Sequence, residues 1–176
     1  MGGIDKPLLP WRGRPLVAHV IDRLQPQVAT TVLIANRSLE QYAAFGLPVH
    51  HDLVPGLGPL GGLATALAVA ESPLLVCCPG DAPLLAPDLV TRLAAALTPA
   101  LDAVYPDDGD REQPLFLLLR TTLRPALERY LAGGQRAVSG FLASLNTTAI
   151  AAADIGDSFR NINSHADLDE LERGAG

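Results

Sequence analysis

Three side chains with acceptor oxygens fall at matching places in this sequence. The apolar run 31–35 ends in Asn36, the run 47–51 ends in Asp52, and the run 74–78 leads through Pro79-Gly80 to Asp81. If these runs are strands of one open α/β sheet, all three side chains reach the edge beyond the carboxyl ends of the strands. That edge is where such sheets bind ligands. Turn formation accounts for Asn or Asp at a strand end equally well. Asp81 is marked more sharply, because Pro79-Gly80-Asp81-Ala82-Pro83 fixes its loop with rigid residues and holds a carboxylate at the mouth of the sheet. A hard cation such as Mg²⁺ is commonly held by one or two carboxylates together with substrate phosphates. The plainer reading of the same residue is an N-cap or a turn aspartate.

Lys6 stands out by type. Of thirteen basic residues twelve are arginine, and the one lysine lies in Gly2-Gly3-Ile4-Asp5-Lys6. An ammonium is a compact point charge on a flexible stem, suited to following phosphate oxygens as charge shifts, whereas guanidinium favours planar two-point contacts. A solvated loop lysine is the alternative. The glycines of Gly56-Leu57-Gly58-Pro59-Leu60-Gly61-Gly62 open a predicted helix. They admit two readings, close approach of the backbone to a phosphate at a helix N-terminus or a plain turn before a closely packed helix. No Lys-Ser or Lys-Thr follows, so this is not a P-loop. His50-His51-Asp52 lacks a third ligand at zinc spacing, and adjacent strand residues face opposite ways. Ser139 and Ser144 lack a nucleophile-elbow pattern.

The elements that must position these residues follow from hydrophobic periodicity. Val-, Ile- and Leu-rich runs at 31–35, 47–51, 74–79 and 102–106 predict buried strands, with further strands at 115–119 and 148–155 and an extended stretch at 159–163. Helices are predicted at 15–24, 60–71, 87–97, 122–132, around 136–145 and at 166–173. Strand–helix alternation predicts a single α/β domain over 1–176, with a mostly parallel sheet covered on both faces. The length, 176 residues at 48% hydrophobic, is enough to bury a core. A net charge of −6 argues against a general nucleic-acid binder. No run reaches the ~18 apolar residues of a membrane span, and no signal-peptide pattern opens the chain. The adjacent Cys77 and Cys78 form no disulfide framework, so a cytoplasmic location is expected.

In order, these residues resemble a known family. Gly2-Gly3-Ile4-Asp5-Lys6-Pro7-Leu8-Leu9 is similar to the segment just after the glycine-rich loop of the nucleotidyltransferase superfamily. The rest resembles the molybdenum cofactor guanylyltransferases: Gly13-Arg14-Pro15-Leu16 with His19-Val20, Ala35-Asn36-Arg37, Gly46-Leu47-Pro48-Val49, Asp52 and Gly58-Pro59-Leu60-Gly61-Gly62. Pro79-Gly80-Asp81-Ala82-Pro83, Phe159-Arg160-Asn161-Ile162-Asn163 and Asp167-Leu168 complete the match. The resemblance implies a three-layer Rossmann-like nucleotidyltransferase fold, GTP as donor, Mg²⁺ as cofactor and molybdopterin, carrying molybdenum, as acceptor. It implies nucleotide-binding roles for Lys6, Asn36, Asp52 and Asp81, catalytic roles for Lys6 and Asp81, and Asp81 as the magnesium ligand. Asn161 and Asn163 are expected on the pterin side. Molybdoenzymes or their chaperones are further implied partners, and neither nucleic acid nor membrane is.

Departures from the family pattern lie at Gly80, where cysteine is usual, and at Gly61, where alanine is usual; both are expected to be tolerated. Ala137 stands where a second arginine often follows Arg136. The resemblance also places an opening strand and a glycine-rich phosphate loop, roughly 20 residues, ahead of the point where Met1 falls, so an N-terminally truncated domain is expected. Two alternatives accompany this reading. One is a related nucleotidyltransferase using CTP or a sugar phosphate, and the other a non-catalytic truncated paralogue that binds molybdopterin or a partner enzyme.

Overall fold

The computed structural model describes residues 5–162 and 164–174. In chain order the elements are β1 (Pro10–Trp11), β2 (Arg14–Pro15), α1 (Leu16–Leu24), β3 (Leu33–Ile34), α2 (Leu39–Ala43), β4 (Val49–His50), α3 (Pro59–Val69), β5 (Leu74–Cys77) and α4 (Leu89–Ala96). They continue with β6 (Ala103–Asp107), β7 (Leu117–Arg120), α5 (Arg124–Ala132), α6 (Val138–Ala143), β8 (Thr147–Ala151) and α7 (His165–Gly174).

β6 and β7 carry the best-buried part of the sheet, and their side-chain alternation explains why. Ala103, Tyr105, Leu117 and Leu119 point to one face, where they meet Leu60, Leu63 and Leu67 of α3, Leu127 of α5 and Phe141 of α6. Val104 and Leu118 point to the other, against Leu89 and Leu93 of α4 with Phe116 and Phe159. Strands apolar on both faces require cover on both faces, and the period of two delivers successive residues to alternate layers. The expected three-layer α/β arrangement follows.

The sheet order is β5-β7-β6-β8. β6 and β8 run parallel, while β7 is antiparallel to both β5 and β6. Three of the four strands therefore share one direction, as the sequence predicts, and β7 is the reversed exception. β3 and β4 form a separate parallel pair, Leu33 opposite Val49 and Ile34 opposite His50. β3 and β5 each keep one edge without a partner among the described residues. Residues 28–34 and 74–80 line a long cleft of about 1190 Å³ between these two sheets. Unpaired edges leave β3 and β5 only half-buried, although their composition matches that of fully buried strands.

Two predicted extended segments end differently. The strand predicted over 148–155 stops at Ala151, and the chain then winds through a 3-10 segment, Ala153–Phe159. The stretch predicted at 159–163 begins only after it, and Asn163 lies outside the described residues. Two short features carry no hydrophobic period long enough to predict, α2 and the hairpin β1–β2. The hairpin turns on Arg12 and Gly13, both at positive φ (49° and 75°), as a two-residue turn between twisted strands requires.

Candidate active site

The hairpin sets the position of Lys6. Leu8 N–H donates to the Asp5 carbonyl and Leu9 N–H to the Lys6 carbonyl, both at 2.9 Å, closing one 3-10 turn over Lys6–Leu8. β1 and β2 then reverse the chain, and Leu16 N–H at the head of α1 donates back to the Leu9 carbonyl at 3.0 Å. Leu9, Trp11 and Leu16 pack with Ile162, Leu168 and Leu171. The lysine thus stands exposed between half-buried Asp5 and Pro7, on a segment anchored by buried Leu9.

Asp81 is delivered from the other side by the loop after β5. Ala82 and Leu85 are fully buried. Arg23 of α1 donates from Nη1 to the Leu85 carbonyl (3.1 Å), and Gln27 from Nε2 to the Ala86 carbonyl (2.9 Å). The Asp81 carbonyl accepts from Ile162 N–H at 2.9 Å, which brings the Asn161 segment alongside. Gly80 rests on Pro7. A Cβ at position 80 would lie 3.3 Å from Pro7 Cβ and 3.6 Å from Val17. The absence of a side chain there lets the Lys6-Pro7 segment close on the Gly80-Asp81 loop, so a cysteine would force Pro7 to give way slightly.

Asn36 and Asp52 form a second unit at the ends of β3 and β4. Asn36 Nδ2 donates to Asp52 Oδ2 at 2.8 Å, and Asp52 N–H donates to Asn36 Oδ1 at 2.9 Å. Asp52 is only 7% exposed, and its carboxylate lies against the first turn of α3. A Cβ at Gly61 would sit 2.8 Å from Asp52 Oδ2, and one at Gly62 would sit 3.9 Å from Oδ1. Glycine at 61 is therefore more than a tolerated departure, because the carboxylate occupies the space an alanine methyl would need. The glycine-rich segment divides its work. Gly56 and Gly58 take positive φ (81° and 58°) to turn into α3, whereas Gly61 makes room for Asp52. The first turn of α3 thus already has a side-chain carboxyl group against it, that of Asp52.

Burial raises the pKa of Asp81, opposed by its own backbone N–H and by the positive charge of Lys6. Desolvation disfavours a carboxylate anion, and a nearby cation restores part of the loss. Among the described residues no group of three or more His, Cys, Asp or Glu could hold a metal alone. One partly desolvated carboxylate fits a Mg²⁺ that draws its remaining ligands from a nucleotide's phosphates and water. Cys77 and Cys78 are free thiols, both pushed by burial to about 12, too high for nucleophilic use.

Asn36, Asp52, Pro7 and Gly80 all line the same cleft. Of the residues singled out by sequence, Asn36 and Asp52 come into direct contact, Lys6 and Asp81 come within electrostatic reach, and Asn161 lies one residue from the bond to Asp81. Asp5 and Tyr42 carried no sequence assignment, yet the Tyr42 hydroxyl donates to Asp5 Oδ1 at 2.9 Å.

A lysine within electrostatic reach of a partly desolvated carboxylate, in the loop after β5, is an arrangement that can meet phosphate groups. Residues 1–148 match the family described as the MobA-like NTP transferase domain, so the chain belongs to that family and is a nucleotidyltransferase. Its relatives narrow this to the molybdenum cofactor guanylyltransferases. The one from Pasteurella multocida (strain Pm70) is 41% identical over 170 residues, covering 96% of this chain and 90% of the relative. Solved structures show the same fold. Molybdopterin-guanine dinucleotide biosynthesis protein A from Archaeoglobus fulgidus superposes with a TM-score of 0.80 at 23% identity, over 98% of this chain and 91% of that one. The 2-C-methyl-D-erythritol 4-phosphate cytidylyltransferase from Thermus thermophilus gives 0.74 at 19% identity, over 97% and 93%.

Proposed function

We propose that this protein transfers GMP from GTP to the terminal phosphate of molybdenum-carrying molybdopterin. An oxygen of that phosphate forms a bond to the α-phosphorus of GTP, the bond from the α-phosphorus to the bridging oxygen breaks, and pyrophosphate leaves. The nucleophile is ionised at neutral pH, so no general base is needed. Positioning and charge neutralisation carry such a displacement. Lys6 holds its ammonium against the phosphate oxygens. Asp81, with the nucleotide's own phosphates, would hold Mg²⁺, which supplies further neutralisation of phosphate charge. Asn36 and Asp52, which line the cleft, take the nucleoside, and Asn161 meets the pterin.

The observation that carries this reading is the closure of the Lys6-Pro7 segment onto the Gly80-Asp81 loop, in the cleft that also holds Asn36 and Asp52. The same reading takes 1–176 as one nucleotidyltransferase domain. It also places the protein in the cytoplasm, consistent with two free cysteines, and no described helix is long and apolar enough to cross a membrane. The test is pyrophosphate release from GTP in the presence of Mg²⁺ and molybdenum-loaded molybdopterin. Release with GTP and not CTP or UTP is expected. Preference for CTP, or GTP binding without turnover, overturns the guanylyl assignment.

A further inference from the structure

We infer that Tyr42 is a positioning residue, acting through Asp5 to hold Lys6 at the Asp81 end of the cleft. The inference rests on the phosphate-binding role proposed for Lys6. The Tyr42 ring is 4% exposed and packs with Val17 and Ile21 of α1, and the Phe45 ring lies 6.5 Å away, centroid to centroid. The hydroxyl therefore has a fixed origin. It donates to Asp5 Oδ1 at 2.9 Å, while Asp5 Oδ2 is buried with no hydrogen-bond partner among the described residues. A carboxylate held out of water on so few bonds depends heavily on each one.

Asp5 immediately precedes Lys6, and its carbonyl closes the 3-10 turn that carries the lysine. A shift of Asp5 toward solvent thus moves the lysine's backbone. Lys6 itself is exposed on a long flexible stem, so its aim depends on that backbone being fixed. Tyr42 also follows Asn36 by six residues, on the short helix directly after β3. The ring clusters with Ala35 and Val49, beside the ends of β3 and β4, so one buried side chain joins the strands that lead to Asn36 and Asp52 to the Lys6 segment. The opposing charges near the hydroxyl agree with this placement: Asp5 and Asp81 both raise the Tyr42 pKa, after burial, and Arg37 lowers it.

Tyr42→Phe keeps the ring and removes the bond. With GTP varied at saturating acceptor, kcat is expected to fall about tenfold or more, the worth of a hydrogen bond to a charged group, while KM for GTP changes little. In a Lys6→Ala background, Tyr42→Phe should lower kcat no further. Asp5→Ala, which leaves the ring in place, should lower kcat by a similar factor, and adding Tyr42→Phe to it should again change nothing. Wild-type kcat in Tyr42→Phe, or an equal loss with and without Lys6, overturns the positioning role. Wild-type kcat in Lys6→Ala instead overturns the reading of Lys6 on which the inference rests.

Discussion

The two ends of the candidate site are built on opposite principles. At the Asn36–Asp52 end the chain satisfies itself. The amide and carboxylate exchange two hydrogen bonds, at 2.8 and 2.9 Å, and the carboxylate lies against the first turn of α3. At the Lys6–Asp81 end the lysine is exposed, burial raises the Asp81 pKa, and one Asp5 oxygen is buried without a hydrogen-bond partner among the described residues. Fully satisfied polar networks rigidify a site, whereas charge left partly uncompensated in a cleft is what a ligand can complete. In the proposed reaction the first end would frame the nucleoside, and the second would bring the charge that phosphate transfer uses. Substitutions should therefore separate, with losses of rate at one end and losses of stability and affinity at the other.

The largest effect is expected at Asp81. Asp81→Asn removes the anion but keeps the size, and pyrophosphate release should fall by about 10²–10³-fold, the scale for losing one preorganised electrostatic group. Stability should move the other way. With the folded pKa raised above the unfolded value of about 3.9, ionising Asp81 opposes folding. The penalty is absent below the unfolded pKa, grows as pH rises toward the folded pKa, and is complete above it. Asp81→Asn should thus melt higher than wild type at neutral pH, and the gap should close on acidification below about pH 3.9. A lower Tm at neutral pH would show that the carboxylate is compensated within the chain, and the contrast between the two ends would collapse.

Lys6→Arg comes next. The charge is retained, but a planar, weakly hydrated fork replaces a compact ammonium. A kcat loss of about tenfold or more, with the melting temperature unchanged, is expected at a site built for one aimed charge. Full activity in Lys6→Arg would mean that the segment contributes only net positive charge.

Legibility in the sequence follows the same division between local and assembled features. Asn36, Asp52 and Asp81 could be read because each ends an apolar run, and strand ends in an α/β sheet share an edge. β6 and β7 could be read because both of their faces are buried, so composition and environment agree. β3 and β5 have similar composition but lie half-exposed along the cleft, since burial of a strand depends also on what pairs with its edges. Asp5 drew no assignment, because its significance is a bond across 37 positions to a helix of five residues. The reversed β7 was likewise unreadable, as strand direction is decided by connections and not by hydrophobic pattern.

At the self-satisfied end, Asp52→Ala strips Asn36 Nδ2 of its acceptor and α3 of its facing carboxylate. A cost of about 1–3 kcal/mol is expected. In a domain of this size that lowers Tm by roughly 2–4 °C per kcal/mol, readable by thermal denaturation. KM for GTP should rise while kcat changes less than in the Asp81 variant. A kcat collapse with unchanged Tm would assign Asp52 to the reacting phosphates and erase the difference between the ends.

The smallest effect, and the sharpest on the frame itself, is expected from Gly61→Ala. The new methyl would approach Asp52 Oδ2 to 2.8 Å, so the carboxylate must turn and its bond to Asn36 Nδ2 must lengthen. Against this, alanine in a helix is favoured over glycine by about 1 kcal/mol. The two contributions nearly cancel, so Tm should move by no more than a few degrees. The sign becomes decisive in an Asp52→Ala background. There the carboxylate is gone, the propensity gain stands alone, and the same Gly61→Ala substitution should raise Tm. If it lowers Tm equally in both backgrounds, the glycine serves packing against another neighbour, such as Leu57 Cβ at 3.3 Å, and the fitting of α3 to Asp52 is not what fixes residue 61.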